Sequence, residues 1–361
     1  MREGPYRTLL ALYQGSAAPA ELSERAWDEV VRVARRAGLL ARLAAILRDR
    51  GQTGELPPPV APVLAAELRL AEAHARNIRW EVRRIREALD HAGVPCVLLK
   101  GAAYVLGELP AARGRLFEDV DILVPRGRID RAESALRLFG WVGLHRHPYD
   151  QRYYRRWMHQ IPPMRHSSRG TTVDVHHNLL PETGPLSPDP GLLRADSRPL
   201  PEWPGVSIPA PEDLILHSAA HLFHDGAMEN GLRDLTDLDA LVRDFGPRPG
   251  FWGRLRVRAE LMDLLAPMAD ALRWSRRLLG TPVPAEMDLE PAATGRSRFR
   301  TGMLDLLYGE GLRPDHPLAR RPLTGPAQGV LYLRSHTLRM PLRLLAPHLV
   351  RKGLRGEGEA R

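Results

Sequence analysis

The chain has one cysteine, Cys96, in 361 residues. This excludes an intramolecular disulfide and a cysteine-based metal site, and the apolar neighbours of Cys96 mark it as a buried thiol. Lysine is almost missing as well: it occurs only at Lys100 and Lys352, although Lys and Arg together number 52. The excess over 43 acidic residues, a formal charge of +9, is therefore carried by arginine. Two readings of that excess stay open. One is attraction of RNA, nucleotides or an anionic surface; the other is the Arg-, Ala-, Gly- and Pro-rich usage of a GC-rich genome. No stretch approaches the ~20 consecutive apolar residues that cross a bilayer. Arg2 and Arg7 are followed only by a short apolar patch at residues 9–13, which is no signal-peptide core. A cytoplasmic protein is expected, and 43% hydrophobic residues can bury a large core in two or three compact units.

What the chain does contain is concentrated in residues 97–124, VLLKGAAYVLGELPAARGRLFEDVDILV. A short apolar run is followed by a turn at Lys100 and Gly101, an apolar segment to Leu109, a loop rich in Pro, Gly and Arg, and a second run from Asp119 to Val124. The layout is that of a strand-helix-strand unit. With lysine so scarce elsewhere, one placed directly beside the turn glycine stands out. Side chains alternate along a strand, so Asp119 and Asp121 share one face. Two such carboxylates repel unless a cation lies between them, a spacing that suits Mg²⁺, a hard ion that keeps positions open for phosphate. An isolated D-x-D is more often the solvated end of a strand, and the motif alone is weak.

Leu98-Leu99-Lys100-Gly101-Ala102, Arg115 four residues before the first aspartate, and Asp119-Val120-Asp121-Ile122-Leu123-Val124 resemble the DNA polymerase β-like nucleotidyltransferase superfamily. More closely, they resemble the bacterial group called the uncharacterised nucleotidyltransferase family. The resemblance is good over residues 92–177 and looser to about residue 244. It implies an α+β fold: a polymerase β-like core, a small mixed sheet with helices, flanked by N-terminal and C-terminal helical regions. It also implies a third carboxylate on a later strand, for which residues 171–176, TTVDVH, supply Asp174. Their alternation would turn Asp174 to the same side as Thr172 and His176. One departure is Ala102, where the superfamily often has a serine whose hydroxyl helps hold the triphosphate. Nucleotide binding would then rest on Lys100, on the main chain of Gly101 and Ala102 at the helix start, and on Arg115.

The expected division is an N-terminal helical region over residues 1–92, a catalytic core over 93–200 and a C-terminal helical domain over 201–361 with a basic tail. Residues 21–50 show helical spacing broken at Gly38, and residues 60–92 read as one long helix ending at Gly93. Residues 149–164 carry Tyr153, Tyr154, Arg155, Arg156, Trp157 and His159, which fit a half-buried strand pair or a surface that stacks on bases. The proline-rich residues 179–211 read as an irregular crossover. Helical patterns return at 212–223, 232–244, 252–264 and 268–279. His217, His221 and His224 follow i, i+4, i+7 spacing, but the glutamate of an H-E-x-x-H zinc site is missing. The resemblance accounts for a helix with His there, followed by an Arg-Asp pair like Arg233 and Asp234. Residues 330–355 mix Leu with Arg, as in a basic amphipathic helix that contacts RNA or an anionic membrane, or in a packed terminal helix.

The function implied is metal-dependent transfer of a nucleoside monophosphate from ATP or another NTP to an acceptor, a small molecule, a protein or tRNA, with release of pyrophosphate. Asp119, Asp121 and Asp174 would hold Mg²⁺ or Mn²⁺, and an antitoxin would be the partner if the protein is a toxin. The alternatives are a non-catalytic nucleic-acid-binding or scaffold protein on the same fold, and a metal-dependent phosphotransferase.

Overall fold

The computed structural model describes residues 4–340, apart from 145–146 and 226–227. The basic tail expected beyond residue 340 lies outside the described residues. Four helices come first: α1 (Pro5–Gln14), α2 (Glu24–Arg36), α3 (Leu40–Asp49) and α4 (Ala61–His91). The break between α2 and α3 falls at Gly38, whose φ of 65° is the left-handed conformation that glycine adopts without strain. The 31 residues of α4 bury Leu64, Ala71, Ile78, Val82, Ile85 and Leu89 along one stripe, as their near-heptad spacing requires.

The sheet is mixed and has seven strands in the order β3-β4-β5-β2-β1-β7-β6. In chain order these are β1 (Cys96–Leu98), β2 (Asp119–Leu123), β3 (Trp141–Gly143), β4 (Met164–His166), β5 (Thr172–His176), β6 (Arg198–Pro199) and β7 (Val206–Ile208). Between them lie α5 (Lys100–Leu106), α6 (Ile129–Leu138), α7 (Pro148–Trp157) and α8 (Pro190–Ala195). After β7 come α9 (Pro211–Ala220), continued by a π-helical turn over His221–Asp225, then α10 (Gly231–Phe245), α11 (Phe251–Leu261), α12 (Leu265–Leu279), α13 (Arg298–Gly311) and α14 (Thr324–Arg339). One core joins the sheet to α4, α5 and α9 to α13, and a smaller one is built from Trp27, Val30, Val33, Leu40, Leu43 and their neighbours in α1 to α3. Glu81, buried in the middle of α4, accepts hydrogen bonds from Arg169 and Thr171, which pins the turn between β4 and β5 onto the helix.

Two expectations need correction. Residues 149–164 are not a strand pair: Pro148–Trp157 is a helix, and strand β4 begins only at Met164. The spacing of the aromatics explains it. Tyr149, Tyr153 and Trp157 recur every four residues, and Trp157 makes edge-to-face contacts with both tyrosines at 6.2 Å. The His147 side chain caps the start by accepting from the Tyr149 N–H at 3.1 Å, with Pro148 in the first turn. The proline-rich passage is not an irregular crossover throughout, because it contains α8 and the β6–β7 hairpin, and β7 pairs parallel with β1. Pro190 and Pro211 open helices α8 and α9, where a missing N–H costs nothing, and Pro199 sits on the edge strand β6.

Candidate active site

β2 and β5 run side by side and parallel, and their register sets Asp121 opposite Asp174 and Leu123 opposite His176. The pleat then places the functional side chains of both strands on one face of the sheet. They line a cavity of about 430 Å³ together with Lys100, Arg115, Tyr153, Tyr154 and Asp234, a volume in the usual range for small-molecule sites, about 300–1,000 Å³.

Lys100 joins β1 to α5 with a φ of 42°, a left-handed conformation that a non-glycine residue holds only under constraint. It brings Nζ to 3.5 Å from Asp121 Oδ1. Gly101 is required by packing: a Cβ there would lie 2.4 Å from Phe117 Cδ1. Gly101→Ala gains the better helix former but meets the ring, and a loss of stability of about 1–3 kcal/mol is expected in urea unfolding. Equal stability would show that Phe117 yields at no cost. Ala102 is buried in the core, so only its main chain is available to a ligand. Tyr104 ties α5 to α9 through a 2.6 Å hydrogen bond to Ser218, whose own hydroxyl donates to the Leu214 carbonyl.

The three aspartates sit in different electrostatic surroundings. Burial alone would raise the Asp121 carboxyl, but the Lys100 ammonium and a 2.8 Å hydrogen bond from His176 Nε2 outweigh it and hold it far below the usual carboxylate range. An ionised carboxylate only accepts, so the His176 proton is on Nε2. Burial, followed by the charges of Asp121 and Asp119, pushes Asp174 up to about 7. Its Oδ2 accepts from Gln160 at 3.4 Å, while its Oδ1 is buried without a hydrogen-bond partner. Asp119 lies more openly in the cavity, and the charge of Asp121 pushes it up to about 6 against the pull of Lys100. Donor atoms of Asp121, Asp174 and His176 all lie within 4.8 Å of one another. Two facing carboxylates, one of them with an orphaned oxygen, are a donor set that fits a hard divalent cation.

Arg115 has partners that its position in the sequence does not reveal. Its Nε donates to Asp237 at 2.9 Å and its Nη2 lies 3.5 Å from Asp234. Asp237 also accepts from Arg42 of α3 at 2.6 Å, and Asp234 accepts from Arg233 at 3.1 Å. This buried network joins α3, the loop before β2 and α10. Arg115→Ala would leave Asp237 to Arg42 and Asp234 to Arg233 alone, and a loss of about 1–3 kcal/mol in stability is expected. Unchanged thermal stability with weakened NTP affinity would make Arg115 a phosphate ligand instead of a structural tie.

His176 and Gln160 are site residues that the aspartate motif did not single out; the alternation in β5 was the available signal for His176. Of the three histidines at and beyond the end of α9, His217 is buried and held neutral by burial and by Lys100, and His221 lines the cavity. The chain turns π-helical at His221, which breaks the α-helical face, and among the described residues these histidines form no group of converging metal donors.

The site is thus a cavity on a mixed sheet, with two facing aspartates and a lysine at the strand-helix turn, and His176 packed against Asp121. The chain belongs to the uncharacterised nucleotidyltransferase family, whose sequence model matches residues 23–280, more than half of its length. A separate, short similarity links it to the ribosomal protein uS12 methylthiotransferase RimO from two strains of Thermus thermophilus, with 43% identity over 77 residues in one strain and 42% in the other. Those spans cover 21% of this chain and 18% of each curated relative.

Proposed function

We propose that the protein transfers a nucleoside monophosphate from an NTP to an acceptor hydroxyl. The observation that carries this reading is the parallel register of β2 and β5, which sets Asp121 against Asp174 beside Asp119 in a cavity of nucleotide size. Divalent cations, Mg²⁺ or Mn²⁺, held by Asp119, Asp121 and Asp174, would neutralise the triphosphate and acidify the acceptor hydroxyl. The acceptor oxygen attacks the α-phosphorus, the bond to the bridging oxygen of the β-phosphate breaks, and pyrophosphate leaves. The Oδ1 of Asp174, which has no hydrogen-bond partner, is the oxygen suited to take the acceptor proton. Lys100 stands beside Asp121 as the cation for the phosphates, with the main chain of Gly101 and Ala102 next to it. Tyr153 and Tyr154 of α7 line the same cavity and offer ring faces for a base.

The test is incubation with each α-³²P-labelled NTP, a divalent cation, and RNA, proteins and small molecules as acceptors. Label transferred from the α-position supports the reading. Transfer from γ-labelled NTP alone makes the protein a phosphotransferase, and NTP binding without transfer to any acceptor class favours a non-catalytic role.

A further inference from the structure

We propose that His176 is itself a ligand of the cation, and that this site consequently prefers Mn²⁺ or another ion that accepts nitrogen over Mg²⁺. The inference rests on the reading of the aspartates as a cation site and adds a donor of a different chemical kind to it. His176 follows Asp174 by two residues on β5, so the two side chains leave the strand on the same face. Its Nε2 is 2.8 Å from Asp121 Oδ1, close to the ~3.0 Å that separates neighbouring donors on an octahedral ion with bonds of about 2.1 Å. One donor atom each from Asp121, Asp174 and His176 fits within 4.8 Å, whereas opposite donors on such an ion are ~4.2 Å apart. Small side-chain rotations therefore bring all three onto one ion. The imidazole cannot swing aside easily: it is 2% exposed, and its ring stacks on His159 at 5.2 Å with 30° between planes. On ligation the ring proton would sit on Nδ1, the nitrogen that has no hydrogen-bond partner.

An imidazole donor discriminates between cations. Mg²⁺ is hard, gives up water reluctantly and favours oxygen, whereas nitrogen is acceptable to Mn²⁺ and increasingly to the later first-row ions. The rival role for His176 is to orient Asp121 by donating to it while staying off the ion. In that role its loss weakens every divalent ion alike.

Electron spin-echo spectroscopy of Mn²⁺ bound to the full chain separates the two roles without any assay of activity. The expected result is a ¹⁴N coupling in the parent that changes to the ¹⁵N pattern when histidine is ¹⁵N-labelled. It should vanish in His176→Gln, which keeps an N–H able to reach Asp121, and survive in His159→Gln and His221→Gln, two histidines that line the cavity. In titrations, His176→Gln should weaken Mn²⁺ about 10–100-fold and Mg²⁺ less than about threefold. Mn²⁺ bound in a manner that Asp121→Asn abolishes, yet without histidine coupling, would overturn the ligand role and leave the cation site standing; so would equal weakening of both ions. No Mn²⁺ binding at all would overturn both. The isotope comparison uses the unaltered protein, so it decides even if His176→Gln does not fold.

Discussion

Asp121→Asn is expected to abolish divalent-cation binding and to lower nucleotidyl transfer by on the order of 10³-fold, about 4 kcal/mol of transition-state stabilisation. Asp121 is 4% exposed and interacts with Lys100 and His176 together. Removing its charge thus takes away the most strongly ionised oxygen donor and leaves a cationic side chain without its counterion. The stability effect has a sign that can be checked. The Asp121 carboxyl is held below its unfolded value, so it contributes stability above about pH 4 that is lost as the pH falls further. The variant should be less stable than the parent at pH 7, and the difference should shrink on acidification below about pH 4. Calorimetry with Mn²⁺ and urea unfolding at several pH values measure both effects. Unchanged cation affinity in the variant would remove Asp121 from the site.

Asp174→Asn should behave in the opposite way toward stability. In the metal-free protein the Asp174 carboxyl is raised to about 7 and that of Asp119 to about 6. A carboxyl raised on folding contributes stability that is fully present below its unfolded value near 4 and is lost as the pH rises through the folded value. The metal-free parent should accordingly become more stable as the pH is lowered from about 8 to about 5, and Asp174→Asn, which removes the burden of a buried anion, should be more stable than the parent at pH 8 by on the order of 2 kcal/mol. Saturating cation should shrink the advantage, because it stabilises the parent, with all three aspartates, more than the variant. In the transfer reaction the same variant should lower kcat on the order of 10²-fold or more with a similar KM for nucleotide, because the proton acceptor is used in the transition state and not in binding the triphosphate. A variant that is less stable than the parent without metal at pH 8, and equally active, would assign Asp174 to the scaffold.

These opposite effects come from two aspartates that look alike along the chain. The strand-helix-strand unit was legible because its signals are local: an apolar run, a glycine turn, and carboxylates two apart that a strand must turn to one side. The break between α2 and α3 at Gly38 and the end of α4 at Gly93 were legible for the same reason, since a left-handed φ at a helix end selects glycine. Residues 149–164 misled because aromatic residues favour strands as a class, while the four-residue spacing of Tyr149, Tyr153 and Trp157 stabilises only when they pack on one another in a helix.

The sequence by itself determined the strand and helix periods and the acidic pair, which depend on residues a few positions apart, and it carried the family resemblance that implies a third aspartate. Only the tertiary structure decided that β5 lies parallel beside β2 with Asp174 opposite Asp121. It also decided that His176 closes on Asp121 rather than on its neighbour His177, and that Arg115 is held by Asp234 and Asp237 from α10. The physical reason is range: periodicity and capping act over one or two turns of chain, whereas the charge state of a buried carboxylate is set by whichever distant groups the packing of the sheet and helices brings within about 4 Å.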